Sequence, residues 1–497
     1  MKKYETDVVV IAGGTAGLAA AIAAAESGAN VIVFEKASTT GGAGNMAFGP
    51  FAVESRLQRI KQIGLTREEA FKIHMDYTHW RVDARLVKAF IDKSAGTIDW
   101  LEKIGVEFYD VSCHNPGFPF TWHIIKGKAG NTEQPGLGAH MIKAMTDRAK
   151  ALCVKIFLRT PVQRIIKEGS RIVGVVAEDQ SGEEIRANAS ATIVATGGFG
   201  DNPKMIKKYT GFDWGRDLFS ARIPGLVGDG IRMAREAGAA STEMIMHLTP
   251  LRIPELDDFS LESFSFRQPN LIVNLLGERF MNEETMGNPT FVANAVSRQK
   301  NRCGFIIFDE RTRKHYEERG LDIPPDGVAT FANPDMKDAG MMKALDEESD
   351  NIFVADSLKE LAAKAGIPQD ALLKTVHEYN RACETGRDEL FHKKPKYLRA
   401  IKQPRFYAGR LFPGAIGSLG GIKINHRTEV LTKDHEVIPG LYAAGTDANA
   451  LYGDSYAFVL PGNTLGFALN SGRMAGENAV KYISSVTARP RPAPKAG

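Results

Sequence analysis

Cysteine is scarce in this chain of 497 residues: Cys113, Cys153, Cys303 and Cys383 are the only four, widely separated and without paired spacing. That excludes a disulfide framework or a thiolate metal centre, and reduced thiols imply a reducing, cytoplasmic setting. Excess charge of one sign is also missing. A formal net charge of +4 provides no concentrated basic face of the kind a nucleic-acid ligand demands. No apolar run is long enough to span a bilayer. The nearest candidate, residues 8–25, follows Asp7 and is cut by a glycine-rich turn at 12–17, so it reads as strand, turn and helix. His114 and His140 lack partners at metal-ligand spacing, and no metal is expected. What remains, 43% hydrophobic and 25% charged residues, is the composition of a soluble globular protein long enough for at least two cores.

The first forty residues carry the clearest signal. Residues 6–11 (TDVVVI) are a β-branched run suited to a strand covered on both faces. Ala12-Gly13-Gly14-Thr15-Ala16-Gly17 follows, then an Ala-rich helical stretch at 18–27 ended by Gly28, then a second strand at 30–35 (NVIVFE). This is a βαβ unit in which a tight turn and a helix N-terminus face a pyrophosphate. Gly17 lets the helix pack closely on the strand, and Glu35 is placed to accept hydrogen bonds from ribose hydroxyls. Ala12 stands where such a turn ordinarily has its first glycine.

Further glycine turns follow at 36–49 (KASTTGGAGNMAFG), 191–198 (ATIVATGG), 228–230 (GDG) and 440–447 (GLYAAGTD). Together these motifs resemble the flavoprotein family of soluble fumarate reductases, succinate dehydrogenases and 3-ketosteroid Δ1-dehydrogenases, over residues 4–482. The resemblance implies an α/β fold, with a Rossmann-like FAD-binding domain (1–243 and 404–484) interrupted by an α+β capping domain (244–403) and followed by a disordered tail (485–497). It implies that Ala12, Gly14, Thr15, Ala16 and Gly17 meet the pyrophosphate, with Glu35 and Lys36 near the adenosine ribose. Gly41, Gly42 and Asn45 would lie at the pyrophosphate and ribityl, Val162 at the adenine, Thr196 and Gly197 at the adenosine half, and Gly445 and Asp447 at the ribityl. Ala47, Gly49, Asp229, Asn463, Thr464 and Leu465 complete the expected cofactor-binding set. Some relatives tether FAD through a histidine just after the glycine pair. None occurs between Glu35 and Phe71, which predicts noncovalent FAD.

The family's substrate residues are largely replaced. Fumarate reductases carry a proton-donating arginine after an Asn-Glu pair; here Asn282-Glu283 leads to Gly287. Residues 416–421 (IGSLGG) lack the family's histidine pair, and Val459 stands in place of a carboxylate-clamping arginine. A buried dicarboxylate without cationic partners is unfavourable, so fumarate and succinate are not the expected substrates. Met286, Ile416, Gly417, Phe458 and Val459, with Leu460 and Phe467, instead suit a neutral apolar or aromatic molecule.

Residues 456–466 (YAFVLPGNTLG) resemble the ketosteroid dehydrogenase turn in which a tyrosine hydroxyl and a glycine N–H polarise a ketone, although Phe458 occupies the tyrosine's own place. The expected reaction is hydride transfer to an activated C=C bond, with Tyr456 as first choice of acid, then Arg267 and His247, and the Gly462 N–H as oxyanion donor. Each has a structural alternative: Tyr456 as packed core, His247 as a loop cap and Arg267 as a surface ion pair. Trp122-His123 reads as structural more than pocket-lining, and 393–399 as a solvated basic face. The expected partners are a small-molecule substrate and an electron donor, protein or reduced carrier, rather than NADH. The alternatives are a ketosteroid-type dehydrogenase and a flavin electron-transfer subunit. Glu35→Ala is expected to weaken FAD retention; unchanged flavin content after gel filtration would remove Glu35 from the site.

Overall fold

The computed structural model describes residues 2–115, 117–129, 132–135, 137–220, 223–256, 261–323 and 349–487. They form two compact units. The first comprises Met1–Thr210, Ile223–Ile245 and Gly417–Gly497, and the second Gly211–Arg222 and Met246–Ile416.

The first unit is organised by the βαβ element read from the sequence: β1 (Lys2–Ile11), α1 (Thr15–Glu26) and β2 (Val31–Phe34). Strand β1 pairs in parallel with β2 on one side and with Glu184–Val194 on the other. Lys155–Phe157 continues the parallel sheet beyond β2, and Val437–Ala443 continues it beyond Glu184–Val194. Val8, Val9 and Val10 are fully buried, as a β-branched strand in the middle of a covered sheet must be. The final helix, Asn463–Thr487, packs on α1 through small residues. A Cβ at Gly472 would stand 2.3 Å from the Ala16 carbonyl oxygen, and one at Gly476 equally close to that of Ala20. Backbone contact between the helices therefore depends on glycine on one side and alanine on the other. Residues 485–487 close this helix, and the remainder of the expected tail lies outside the described residues.

In the second unit, Phe406–Gly421 runs between Gly304–Asp309 and Ile352–Ala355, antiparallel to both, with Leu271–Val273 beyond Gly304–Asp309. Helices Leu358–Ala365 and Gln369–Thr385 supply Leu361, Leu372, Val376 and Tyr379 to the core against this sheet. Residues 406–411 are thus the centre of the second unit's sheet. For that reason the unit extends to Ile416 instead of ending near Gln403. The basic run 393–399 is a solvated face only in part: Lys394 and Lys396 are exposed, whereas its two ends turn inward. Lys393 is 2% exposed, its ammonium donates to Tyr379 Oη at 2.9 Å, and Arg399 is ion-paired with Asp322. No helix among the described residues is long and apolar enough to cross a membrane.

Two buried histidines of the first unit give it an acid sensitivity. His123 Nδ1 donates to the Thr121 carbonyl at 3.1 Å and Nε2 accepts from the Ser55 hydroxyl at 2.7 Å. His74 Nε2 donates to the Leu451 carbonyl at 2.7 Å. Burial pushes both imidazoles down to about 4, so the folded chain binds fewer protons than the unfolded chain once the pH drops below the ordinary histidine range. Their stabilising contribution is complete above about pH 6.5 and is lost as the pH falls towards 4. The loss at pH 5 is roughly 2 kcal/mol for each histidine. Thermal unfolding between pH 7 and pH 5 should show it, and His123→Gln should flatten the slope; a Tm independent of pH over that range would refute it.

Candidate active site

The turn between β1 and α1 is stretched by what it lacks. Ala12 takes φ 80°, a left-handed conformation that glycine would adopt without strain. Gly17 has no alternative, because a Cβ there would lie 1.9 Å from the Ala12 carbonyl oxygen. The turn is held from two directions. The Ala12 N–H donates to Phe34 O at 2.8 Å, and the Gly13 N–H donates to Glu35 Oε2 at 2.7 Å. The other Glu35 oxygen accepts from the Ala37 N–H at 2.7 Å, so the carboxylate is 7% exposed and rigidly aimed. The main chain of Glu35 is pinned as well, its N–H to Phe157 O and its carbonyl by the Thr160 N–H, both at 2.8 Å.

The second glycine loop docks on the first. The Gly41 N–H donates to Gly13 O at 2.8 Å, and Gly14 and Gly41 form an isolated parallel bridge. Gly42 opens a short 3-10 helix, Gly42–Met46, which includes Asn45 and is followed by Ala47. Helix α1 has no side-chain cap and no acidic residue in its first turn, and the Thr15 hydroxyl is buried with no hydrogen-bond partner. Uncapped N–H groups, a positive helix end and an orphaned hydroxyl donor together fit a pyrophosphate. The pinned Glu35 fits a ribose diol.

Lys36 reaches across to the third turn, donating to Asp229 Oδ2 at 2.7 Å and to the Gly225 carbonyl. Asp229, expected beside the cofactor, thus already has a cationic partner. Val162 is buried at the start of the strand Val162–Glu168, shortly after Thr160.

Asp447 also differs from its expected role. Its carboxylate is wholly buried and accepts from the Thr196 hydroxyl at 2.9 Å, from the Gly198 N–H at 2.9 Å and from the Thr196 N–H. The Thr196 hydroxyl accepts in turn from the Gly230 N–H at 3.0 Å, and the Asp447 carbonyl accepts from the Ile422 N–H at 2.7 Å. Burial raises the Asp447 carboxyl while the N–H groups of Gly198, Thr196 and Gly197 pull it back. Asp447 therefore joins the turns at 196–198, 228–230 and 445–447. Nearby Gly445 takes φ 65°, donates to the Ser471 hydroxyl at 2.9 Å and leaves no room for a side chain against Ala16.

The loop entering the final helix carries the candidate acid. Tyr456 is buried and hydrogen-bonded to the Thr464 side chain; burial pushes its phenol well above the ordinary range. Asn463 stabilises the same loop, donating to the carbonyls of Ala457 at 2.9 Å and Leu460 at 2.6 Å, with its side-chain oxygen buried and unpartnered. Gly462 takes φ 81° and its carbonyl accepts from Phe51, so that a Cβ there would meet the Phe51 nitrogen at 2.7 Å. Leu465 is buried in the core beneath, whereas Phe458 and Val459 are half-buried. Trp122 donates from Nε1 to the Gly49 carbonyl at 2.8 Å.

The remaining candidates lie in the second unit. His247 is buried on the strand Ile245–Arg252, and Arg267 Nε donates to the Leu251 carbonyl on that strand at 2.8 Å. Met286 is buried in the 3-10 helix Glu283–Gly287, and Ile416 is 45% exposed, while Gly417 begins the return to the first unit. Sequence reasoning missed what holds Met286. Arg279 is ion-paired with Glu283 and Asp388, both at 2.8 Å, and Lys393 lies 3.4 Å from Glu283, all with buried side chains. The signal available was Glu283 four residues after Arg279. Its burial and its pairing with 388 and 393 come from chain far away in sequence.

Residues 7–465 match the family described as FAD binding domain. The chain belongs to that family. It is similar to the vinyl phenol reductase of Lactiplantibacillus plantarum, at 34% identity over 96% of each chain. It is also similar to the cytochrome-type fumarate reductase of Shewanella frigidimarina, at 30% identity over 96% of this chain and 77% of the other. Among solved structures, the 3-ketosteroid Δ4-(5α)-dehydrogenase of Rhodococcus jostii RHA1 shares the fold with TM-score 0.74 and 25% identity, covering 96% of this chain and 97% of that one. The chain is a fumarate-reductase-like FAD flavoprotein. Replacing Asp447 by Asn should strand N–H donors in the interior, lowering stability by roughly 2 kcal/mol and reducing FAD content. Unchanged Tm and flavin-to-protein ratio in Asp447→Asn would contradict that role.

Proposed function

We propose that the protein is an FAD-dependent reductase of an activated C=C bond in a neutral, aromatic-conjugated substrate. The observation that supports it most is the loop ahead of the final helix. Buried Tyr456 is hydrogen-bonded to Thr464, and half-buried Val459, next to half-buried Phe458, stands where a dicarboxylate would need its arginine. The full-length similarity to a vinyl phenol reductase agrees with this reading.

When bound, FAD supplies a hydride to one alkene carbon. Glu35, Thr15, the N-terminus of α1 and the Gly41–Gly42 loop would hold it, noncovalently because no histidine follows the glycine pair. Tyr456 donates the proton to the other alkene carbon. Its phenol carries its proton at neutral pH, as an ordinary tyrosine does, and burial raises it further, so the proton leaves only as charge develops on the substrate. The Gly462 N–H, at the start of a 25-residue helix, stabilises charge that develops on the substrate. His247 and Arg267 are the second choices as acid. A reduced carrier would supply the electrons.

Dehydrogenation of a saturated ketone is a second reading, favoured by Pro461-Gly462 and by the ketosteroid dehydrogenase fold. An anaerobic experiment separates the two. Dithionite-reduced protein should be reoxidised by 4-vinylphenol and not by fumarate, whereas bleaching of oxidised protein by a saturated ketone would favour the dehydrogenase. Tyr456→Phe should slow reoxidation by about 100-fold while leaving the protein yellow. Wild-type rates in that variant would exclude Tyr456 as the acid. Acid precipitation should release the flavin into the supernatant.

A further inference from the structure

An aromatic column runs through the first unit beside the candidate acid. Trp122, anchored by its bond to the Gly49 carbonyl, packs on His114 with ring centroids 4.7 Å apart at 53°. His114 lies flat on Phe458, with centroids 3.9 Å apart and planes only 7° from parallel. Phe118 meets Phe458 edge-on at 6.3 Å and 79°, and Phe48 meets Trp122 edge-on at 6.2 Å and 84°. One end of this column rests on Gly49 of the second glycine loop, and the other is Phe458, two residues beyond Tyr456 and four before Gly462. His114, Phe118 and Phe458 are each half-buried.

A near-parallel imidazole–phenyl stack selects one ring plane among the rotamers open to a half-buried phenylalanine. Holding Phe458 in one plane beside the proton donor has a chemical use when the substrate carries its own ring. An alkene conjugated to an aryl group is planar, so orienting the ring also orients the carbon that receives the proton. A small, non-aromatic alkene gains nothing from such a platform.

We propose that the His114–Phe458 stack is the subsite for the aryl ring of the substrate and that His114 determines specificity by fixing the plane of Phe458. The proposal rests on the alkene-reductase reading above and adds the residues that select an aromatic alkene over an aliphatic one. His114 acts through Phe458 and is a positioning residue.

The test uses the oxidised holoenzyme and 4-ethylphenol, the saturated counterpart of 4-vinylphenol, followed by the flavin difference spectrum. His114→Ala should raise the Kd for 4-ethylphenol about fivefold, and His114→Phe, which retains a flat ring, should restore it to within about twofold of wild type. In turnover, the ratio of kcat/KM for 4-vinylphenol to that for methyl vinyl ketone should fall about fivefold in His114→Ala and recover in His114→Phe. Flavin-to-protein ratio reports whether each variant is folded and loaded. A Kd for His114→Ala within twofold of wild type overturns the proposal, as does a loss that His114→Phe fails to restore. If neither alkene reoxidises the reduced protein, the reductase reading fails, and the 4-ethylphenol titration still decides whether the stack is an aryl subsite.

Discussion

A single buried carboxylate ties together the parts of the first unit that sequence keeps far apart. Asp447 accepts from the turn at 196–198, and through the Thr196 hydroxyl it is linked to Gly230. The main chain beside it joins the strand end at 422. A charge held in the interior is tolerable only when N–H and O–H donors replace its hydration. Those donors are available only when the turns have converged. The carboxylate thus turns three separate glycine loops into one rigid frame.

Glu35 works on a smaller scale by the same logic. Its two oxygens are fixed by the amides of Gly13 and Ala37, so a ribose binding there would meet a group already oriented. Pre-orientation of this kind lowers the entropy that binding must remove. Lys36 and Asp229 repeat the device at the surface, where the pair is a third exposed and adds little stability. In the second unit, the buried Arg279–Glu283–Asp388 cluster with Lys393 fixes the segment that carries Met286. Each charge there has a partner, which is the condition for keeping ions out of water.

Chemistry at the final helix combines rigidity with apolar surroundings. Tyr456 is buried and its phenol raised by that burial, and the loop around it is shaped by the bonds of Asn463 and by the close approach of Gly462 to Phe51. The half-buried aromatic and aliphatic residues beside it provide no counter-charge for a dianion. Membership of the FAD-binding domain family explains the frame. Gly287 and Val459 stand where the sequence comparison with fumarate reductases expects cationic side chains.

Local sequence determined β1, α1 and β2, because a β-branched run, a glycine turn and an alanine helix each depend on neighbours only a few residues away. The same locality let Glu35 be read as a candidate ribose ligand and the glycine turns as candidate cofactor contacts. Tertiary structure alone decided which polar groups face each other. Asp447 is committed to Thr196, Lys393 is drawn inside by Glu283 and Tyr379, and His114 stacks on Phe458, in each case between segments more than ten residues apart. No periodicity encodes such pairings. They are set by where buried donors and acceptors can find partners once the sheet has closed, and that depends on the whole chain at once.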